Sequence, residues 1–231
     1  MESGNTIWRY TDLRALEMLL GPTQSLYFAR PWQFEDELDG HYPLQYLQNV
    51  KAIVGDDASW EREFEKRLHR RRYGFLVSCW HQSEHERLEM WTRYAPPKQV
   101  AIQSTIEDAV FCLSGPRSGS VIYYDSKDDI RHESIFATDD DVLYKRTEFQ
   151  DEREFRMWFV DQHILDRVDQ NHSIADLASA GRPKHVTDLT RFIKKIVIAP
   201  GSDDSLYETV KSIFAKHKKA SYCDLIQRSS L

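Results

Sequence analysis

The side chains able to do chemistry crowd one junction of this chain. Residues 73–94 read YGFLVSCWHQSEHERLEMWTRY, with Ser78, Cys79, His81, Glu84 and His85 in the middle. Cys79 and His81 are two apart, so on a strand they share a face while Trp80 points the other way. Such a pair could act as nucleophile and base in a hydrolase; a buried, inert thiol is the structural alternative. Cys79, His81 and His85 also invite zinc, but a His-x3-His pair needs both residues on one helix face and no second ligand pair follows, so no metal is expected. Glu84, Glu86 and Glu89 could be acids or metal ligands, or they could simply suit a helix N-terminus. Later in the chain Glu152 and Glu154 stand two apart, with Arg156 after them and Lys145 before. On a strand the two carboxylates share one face. Arg156 could pair with Glu154 or hold a phosphate, and a structural ion pair is the plain alternative. Tyr10, Tyr27, Trp80, Trp91, Tyr94 and Trp158 could stack on a nucleobase or nicotinamide ring, or fill the core.

These residues need elements to position them. Residues 73–80 are almost wholly apolar and predict a strand covered on both faces. Ser83 with Glu86 three residues on predicts a capping box, opening a helix with Leu88 and Trp91 on one face and ending before Pro96-Pro97. Upstream, residues 6–10 predict a strand. Thr11 or Asp12 then caps a helix carrying Leu13, Leu16 and Leu20, stopped by Gly21-Pro22. A second strand is expected at 25–29, a polar aromatic loop at 30–42, and a helix at 59–72 with Trp60, Phe64 and Leu68 on one face and a basic last turn. Downstream come strand 99–104, helix 105–113, the turn GPRSG at 115–119, strand 120–124 and an exposed charged connection at 125–141. Strands 142–146 and 155–160 follow, then an excursion or lid at 161–185. The chain closes with strand 192–199, an amphipathic helix at 203–216 and a last strand at 222–226. Strands and helices mixed in irregular order predict a single α+β domain with a mixed, mostly antiparallel sheet and flanking helices.

Composition bounds the function. Net charge is −6, with 37 Asp and Glu against 31 Lys and Arg, which argues against a dedicated nucleic-acid binder. Three unevenly placed cysteines give no disulfide framework and suit a reducing compartment. The opening MESGNTIWRY has no basic segment leading an apolar run, and no apolar stretch reaches membrane-spanning length; a cytoplasmic protein with no membrane partner is expected. The sequence holds neither a P-loop nor a dinucleotide fingerprint.

Several segments together carry a resemblance: IWRYTDLRALEMLL with SLYFARPWQF, SCWHQSEHERLEMWTRY, VAIQST, LYKRTEFQDEREFR, and IVIAPGSDDSLYETVKSIF with the closing RSSL. Nearly end to end they resemble the bacterial domain-of-unknown-function 2971 family. The chain departs from it at residues 32–39, where that family has an Asn-Asp-Pro-like turn. The order of a basic residue ending a first strand, a strand bearing Ser, and Glu-x-Glu entering a later strand also resembles ADP-ribosyltransferase-like domains. That resemblance implies NAD as a substrate, held near Arg9 and either Ser78 or Ser104, with Tyr10, Trp80 and Arg156 as further candidates to bind it. It casts Glu154 as the carboxylate beside the ribose, Glu152 as the group orienting the acceptor, and Arg9 as a member of the reacting site. The acceptor would be a protein or a nucleic acid. A hydrolase using Cys79 and His81, or a non-catalytic interaction module with an apolar patch at Trp32 and Phe34, remain the other readings. They separate on whether Arg9 and Glu154 reach one cleft, whether Cys79 lies exposed beside a His, or whether that patch is bare.

Overall fold

A computed structural model describes residues 5–39, 48–49, 51–53, 55, 58–93, 99–125, 141–170, 172–173, 177 and 179–231. The Tyr94 ring, Pro96-Pro97, and most of the 125–141 connection lie outside them.

Eleven strands and seven helices are described. They run β1 (Thr6–Thr11), α1 (Leu13–Leu20), β2 (Ser25–Phe28), α2 (Ala58–Tyr73), β3 (Phe75–Gln82), α3 (Leu88–Arg93), β4 (Val100–Thr105), α4 (Ile106–Cys112), β5 (Arg117–Ser120), β6 (Ile122–Tyr124), β7 (Tyr144–Arg146), β8 (Glu154–Val160), α5 (Gln162–Asp169), β9 (Arg182–His185), α6 (Leu189–Phe192), β10 (Lys195–Ile198), α7 (Asp204–Lys216) and β11 (Ile226–Arg228). Seven strands make one sheet in the order β11-β10-β4-β1-β3-β8-β5, antiparallel except for the β10–β11 pair. The fold is α+β with a mixed, mostly antiparallel sheet, as the element order predicts.

Period-2 alternation gives the sheet two different faces. Ile7, Leu76, Trp80, Ile102, Phe155, Met157 and Ile196 point to one side and form the main core with Leu16, Leu19, Phe192, Val210 and Phe214 of the covering helices. Caps position those helices: Asp12 accepts from the Ala15 amide, Thr105 from Asp108 and Asp203 from Leu206, each satisfying an orphan donor. The other face carries Trp8 and Tyr10 with Met90 and Trp91 over β1, and Phe75, Val77 and Trp158 with Val142 and Leu143 over β3 and β8. Between these two apolar clusters the second face holds polar and charged side chains.

Several expectations need correction. The Ser83–Glu86 capping box does not form. The helix begins only at Leu88; the Ser83 amide that the box would give to Glu86 donates to the Thr6 carbonyl instead, and Glu86 accepts from Trp91 Nε1, Ser229 Oγ and the Ser230 amide. Leu88 is half exposed and Met90 takes its place on the buried face. The expected turn at 115–119 is largely strand: Arg117–Ser120 pairs with β8, and a separate β6 pairs with β7. Residues 142–143 form a 3-10 turn before β7, and residues 222–225 lie in another before β11. Strand 25–29 leaves the main sheet to pair with β9. The region 161–185 is no loose excursion in its described parts. Helix α5 packs Ile164 and Val168 against Tyr73, and β9 is hydrogen-bonded along β2.

One glycine shows how tightly β9 is seated. A Cβ on Gly181 would lie 2.2 Å from the Phe28 carbonyl oxygen and 2.6 Å from the Tyr27 hydroxyl oxygen. Backbone cannot retreat as a flexible side chain can, so Gly181→Ala is expected to cost about 1–3 kcal/mol. A urea midpoint equal to wild type would refute it.

Candidate functional site

The second face opens into a cleft of about 320 Å³ over β1, β3 and β8. Register explains its floor. Trp8 stands opposite His81, and His81 opposite Glu154, so these three side chains form a rank across three strands on the same face. Cys79 stands opposite Arg156 one step along. Residues 33–36 and Asp39 form one wall, and Lys145, Phe149 and Glu152 another.

Arg9 reaches the same cleft by an unusual route. Strands β1 and β3 pair only at Ile7–Gln82 and Trp8–His81, and farther along β3 Val77 bridges Ala29 instead. The Arg9 guanidinium fills the gap where the two strands part. Nη1 donates to Ser78 Oγ at 2.9 Å and to the Cys79 carbonyl at 3.0 Å, and Nη2 donates to the Tyr27 carbonyl at 3.4 Å. It replaces strand-to-strand hydrogen bonds, which is a structural duty added to its place in the cleft. Burial lowers its pKa from the usual arginine value.

The carboxylates form a buried ionic network. Arg156 grips Glu154 through Nε at 2.8 Å and Nη2 at 2.9 Å, and grips Asp39 through Nη1 at 2.7 Å and Nη2 at 2.6 Å. Lys145 Nζ lies 2.5 Å from Glu152 and 3.1 Å from Glu154. Burial by itself would raise the Glu154 carboxyl, but Arg156 and Lys145 prevail and hold it well below the usual carboxylate range. Burial opposes the Lys145 charge too, yet Glu154 and its acidic neighbours raise the ammonium pKa. Glu152 is not on the Glu154 strand as its spacing suggests. It ends a 3-10 turn, and Arg153 then turns the chain through the left-handed region at φ 40°, so the two carboxylates meet through Lys145 rather than side by side on a strand.

His81 is buried, at 2% exposure, and its Nδ1 lies 2.6 Å from the Glu152 carbonyl oxygen. A carbonyl only accepts, so Nδ1 carries the proton and Nε2 presents a lone pair. Burial lowers the imidazole pKa, which keeps it neutral. Nε2 and the second oxygen of Asp36 are buried polar atoms with no partner among the described residues, and both residues line the cleft.

Of the residues implied by the NAD resemblance, Arg9, Tyr10, Glu152, Glu154 and Arg156 line this cleft. Tyr10 sits edge-on to Trp91 at 4.8 Å and its hydroxyl accepts from the Arg87 amide. Three need correction. Ser78 and Ser104 are fully buried on the opposite, helix-covered face; Ser78 Oγ accepts from Arg9 and Trp80, and the Ser104 hydroxyl donates to the Thr105 carbonyl. Trp80 borders the cleft, but its indole points into the main core, edge-on to Phe192. Neither serine nor that indole is placed to touch a ligand here, because alternation turns them away.

The other sequence-level readings fare differently. Burial and then Glu154 push the Cys79 thiol well up, so it stays protonated rather than becoming a nucleophilic thiolate. Trp32 donates from Nε1 to the Ser179 carbonyl, and Phe34 packs with Val77, Leu143 and Trp158, so the two do not form a bare apolar patch. His85 and Glu84 are exposed, and no group of three or more His, Cys, Asp or Glu among the described residues could hold a metal ion. Among the described residues, no helix is long and apolar enough to cross a membrane. Asp36, Asp39, His81, Lys145 and Phe149 were not singled out together by sequence. The available signal was the shared parity of His81 and Glu154 with Trp8, legible only once strand pairing is known. Comparison of this chain with protein-family models, with curated proteins and with solved structures found no match.

Proposed function

We propose that this chain is an ADP-ribosyltransferase-like protein that takes NAD into the cleft over β1, β3 and β8. The observation that supports the reading is that Arg9 and Glu154, far apart in sequence, line one cleft together with Tyr10. Breaking the bond to nicotinamide leaves an oxocarbenium-like ribose, which a fixed, ionised carboxylate stabilises. Glu154 is fixed and ionised. Its oxygens, however, are already engaged by Arg156, and Oε2 by Lys145 as well. Turnover therefore requires Lys145 to shift fully onto Glu152, which it already contacts, and so free Oε2 for a ribose hydroxyl. Binding alone requires no such shift. The acceptor in this reading is a protein or nucleic acid, with Glu152 as the second carboxylate.

The test is incubation of the protein with NAD labelled in the nicotinamide ring, beside Glu154→Gln. Gln keeps the volume and one acceptor for Arg156 but removes the charge. Nicotinamide release is expected in wild type and should fall about 100-fold or more in the variant, the order seen when one preorganised electrostatic group is lost. Absence of both release and calorimetric NAD binding in wild type would end this reading.

A further inference from the structure

We propose that His81 is the specificity-determining acceptor of the cleft: its Nε2 takes a hydrogen bond from an N–H or O–H of a ligand group that is neutral or cationic, while anionic groups are kept from the cleft floor. The inference rests on the NAD reading for its choice of probe, not for its physical basis.

Three observations carry it. First, the ring is held in one tautomer by the Glu152 carbonyl, and Nε2 is left as a buried acceptor without a partner among the described residues. An unpaired buried acceptor is costly to leave dry, and a donor on the ligand recovers that cost. Second, Asp36 offers another such acceptor on the facing wall; its Oδ1 is bonded to Arg146 and the Leu38 amide, but Oδ2 has no partner among the described residues. Third, the cleft's charge is acidic and its cations are committed. Glu35, Asp36, Asp39, Glu152 and Glu154 outnumber Arg9, Lys145 and Arg156. Arg156 is bound to Asp39 and Glu154, Lys145 to Glu152 and Glu154, and Arg9 to Ser78 and two carbonyls. A phosphate at the floor would meet carboxylates and no uncommitted cation among the described lining residues. A carboxamide N–H, a ribose hydroxyl or a ring cation meets two open acceptors between the aromatic walls of Trp8, Tyr10 and Phe149.

The groups facing His81 are Tyr10 from β1, Arg87 from the approach to α3 and Glu89 from its first turn, Glu152 and Arg153 from the turn before β8, and Glu154 across the register. Of these groups the imidazole has an ordinary pKa within this range, and burial lowers it, so its protonation sets in toward the acid end. Protonation turns Nε2 from acceptor to donor and adds positive charge, so affinity for a donor-bearing cation falls as pH drops.

The experiment is calorimetric titration with NAD, nicotinamide riboside and ADP-ribose, at pH 7.5 and 5.5, using wild type, His81→Phe and His81→Gln, each checked for folding by thermal melting. Nicotinamide riboside and NAD are expected to bind wild type at least tenfold more tightly than ADP-ribose, and more weakly at pH 5.5. His81→Phe should lose about tenfold. His81→Gln, an acceptor that cannot titrate, should restore much of the affinity and abolish the pH dependence; it decides the matter if the Phe variant does not fold. NAD binding that is unchanged in both variants, with the wild-type pH profile, would overturn the His81 assignment while leaving the NAD reading in place. Binding of nicotinamide riboside but not of NAD would sink the dinucleotide reading and sustain the His81 assignment. Binding of neither, or preference for ADP-ribose, would overturn the assignment.

Discussion

Arg156→Met is expected to destabilise this protein by about 3–5 kcal/mol at neutral pH, because it strands buried carboxylates without their partner. The side chain is 1% exposed, and its donors are engaged by Asp39, Glu154 and the Val142 carbonyl. With the guanidinium gone, Asp39 and Glu154 share only Lys145, whose Nζ is 3.8 Å from the first and 3.1 Å from the second. Lysine at this position would not rescue it, since a point charge cannot reproduce two forked contacts. The pH dependence has a definite sign. Glu154 titrates lower in the folded protein than in the unfolded chain, so its contribution is fully present above the unfolded value near 4.3 and is lost as pH falls through the lower folded value. The deficit of Arg156→Met should therefore shrink on acidification, because protonation relieves the stranded carboxylates of the variant. Urea unfolding at pH 7 and pH 3.5 measures both quantities. A deficit under about 1 kcal/mol at pH 7, or one that grows in acid, would contradict the account.

The second large effect is expected at Arg30, which lies just after β2 and is fully buried. Its Nη2 pairs with Asp161 at 2.6 Å, Nη1 donates to the Tyr73 carbonyl at 2.5 Å, and Nε donates to the Ala180 carbonyl at 3.2 Å. One guanidinium thus ties the end of α2, the start of α5 and the approach to β9 to the end of β2, next to the Ala29–Val77 bridge to β3. Asp161, held low against its burial by Arg30 first and Arg182 next, is a charge that needs this partner. Arg30→Met should cost about 3–5 kcal/mol, with Arg182, 3.4 Å from Asp161 but half exposed, recovering only a small part. The double variant Arg30→Met with Asp161→Leu should recover a substantial fraction, since an apolar pair avoids the stranded charge. Hydrogen exchange would place the loosening in α5 and β9 ahead of the central strands. Uniform loosening, or a double variant no more stable than Arg30→Met, would argue against a local clamp.

Both predictions concern arginines whose importance local sequence did not reveal. Arg30 reads as the first residue of a polar loop, and nothing in RPWQFEDELDG indicates a partner at Asp161. Arg156 next to Glu154 does suggest an ion pair, and that pair exists, but Asp39 on its other side comes from a segment distant in sequence. The Ser83–Glu86 pattern failed for a related reason. A capping box competes with every other partner that the fold brings near: the Thr6 carbonyl takes the Ser83 amide, and the last residues of the chain occupy Glu86.

The sequence by itself determined the element types and most of their order, because the 2.0 and 3.6 periods of apolar residues are local properties. It placed β1, α1, β3, β4, β8 and α7 within one or two residues of where they lie, and it offered Thr11 or Asp12 as the first helix cap, of which Asp12 is the one used. The resemblance to ADP-ribosyltransferase-like domains, and not any local pattern, set Arg9, Tyr10 and Glu154 beside one another. Tertiary structure alone decided which of the chosen residues face the cleft. A side chain's face follows from strand register, and register is set by pairing between segments far apart in the chain. That pairing turned Ser78, Ser104 and the Trp80 indole into the helix-covered core, and it ranked Trp8, His81 and Glu154 along the cleft floor. It also set Arg9 into the opening between β1 and β3 and joined Asp39, Lys145, Glu152, Glu154 and Arg156 into one buried network, whose energy depends on distances that no local pattern encodes.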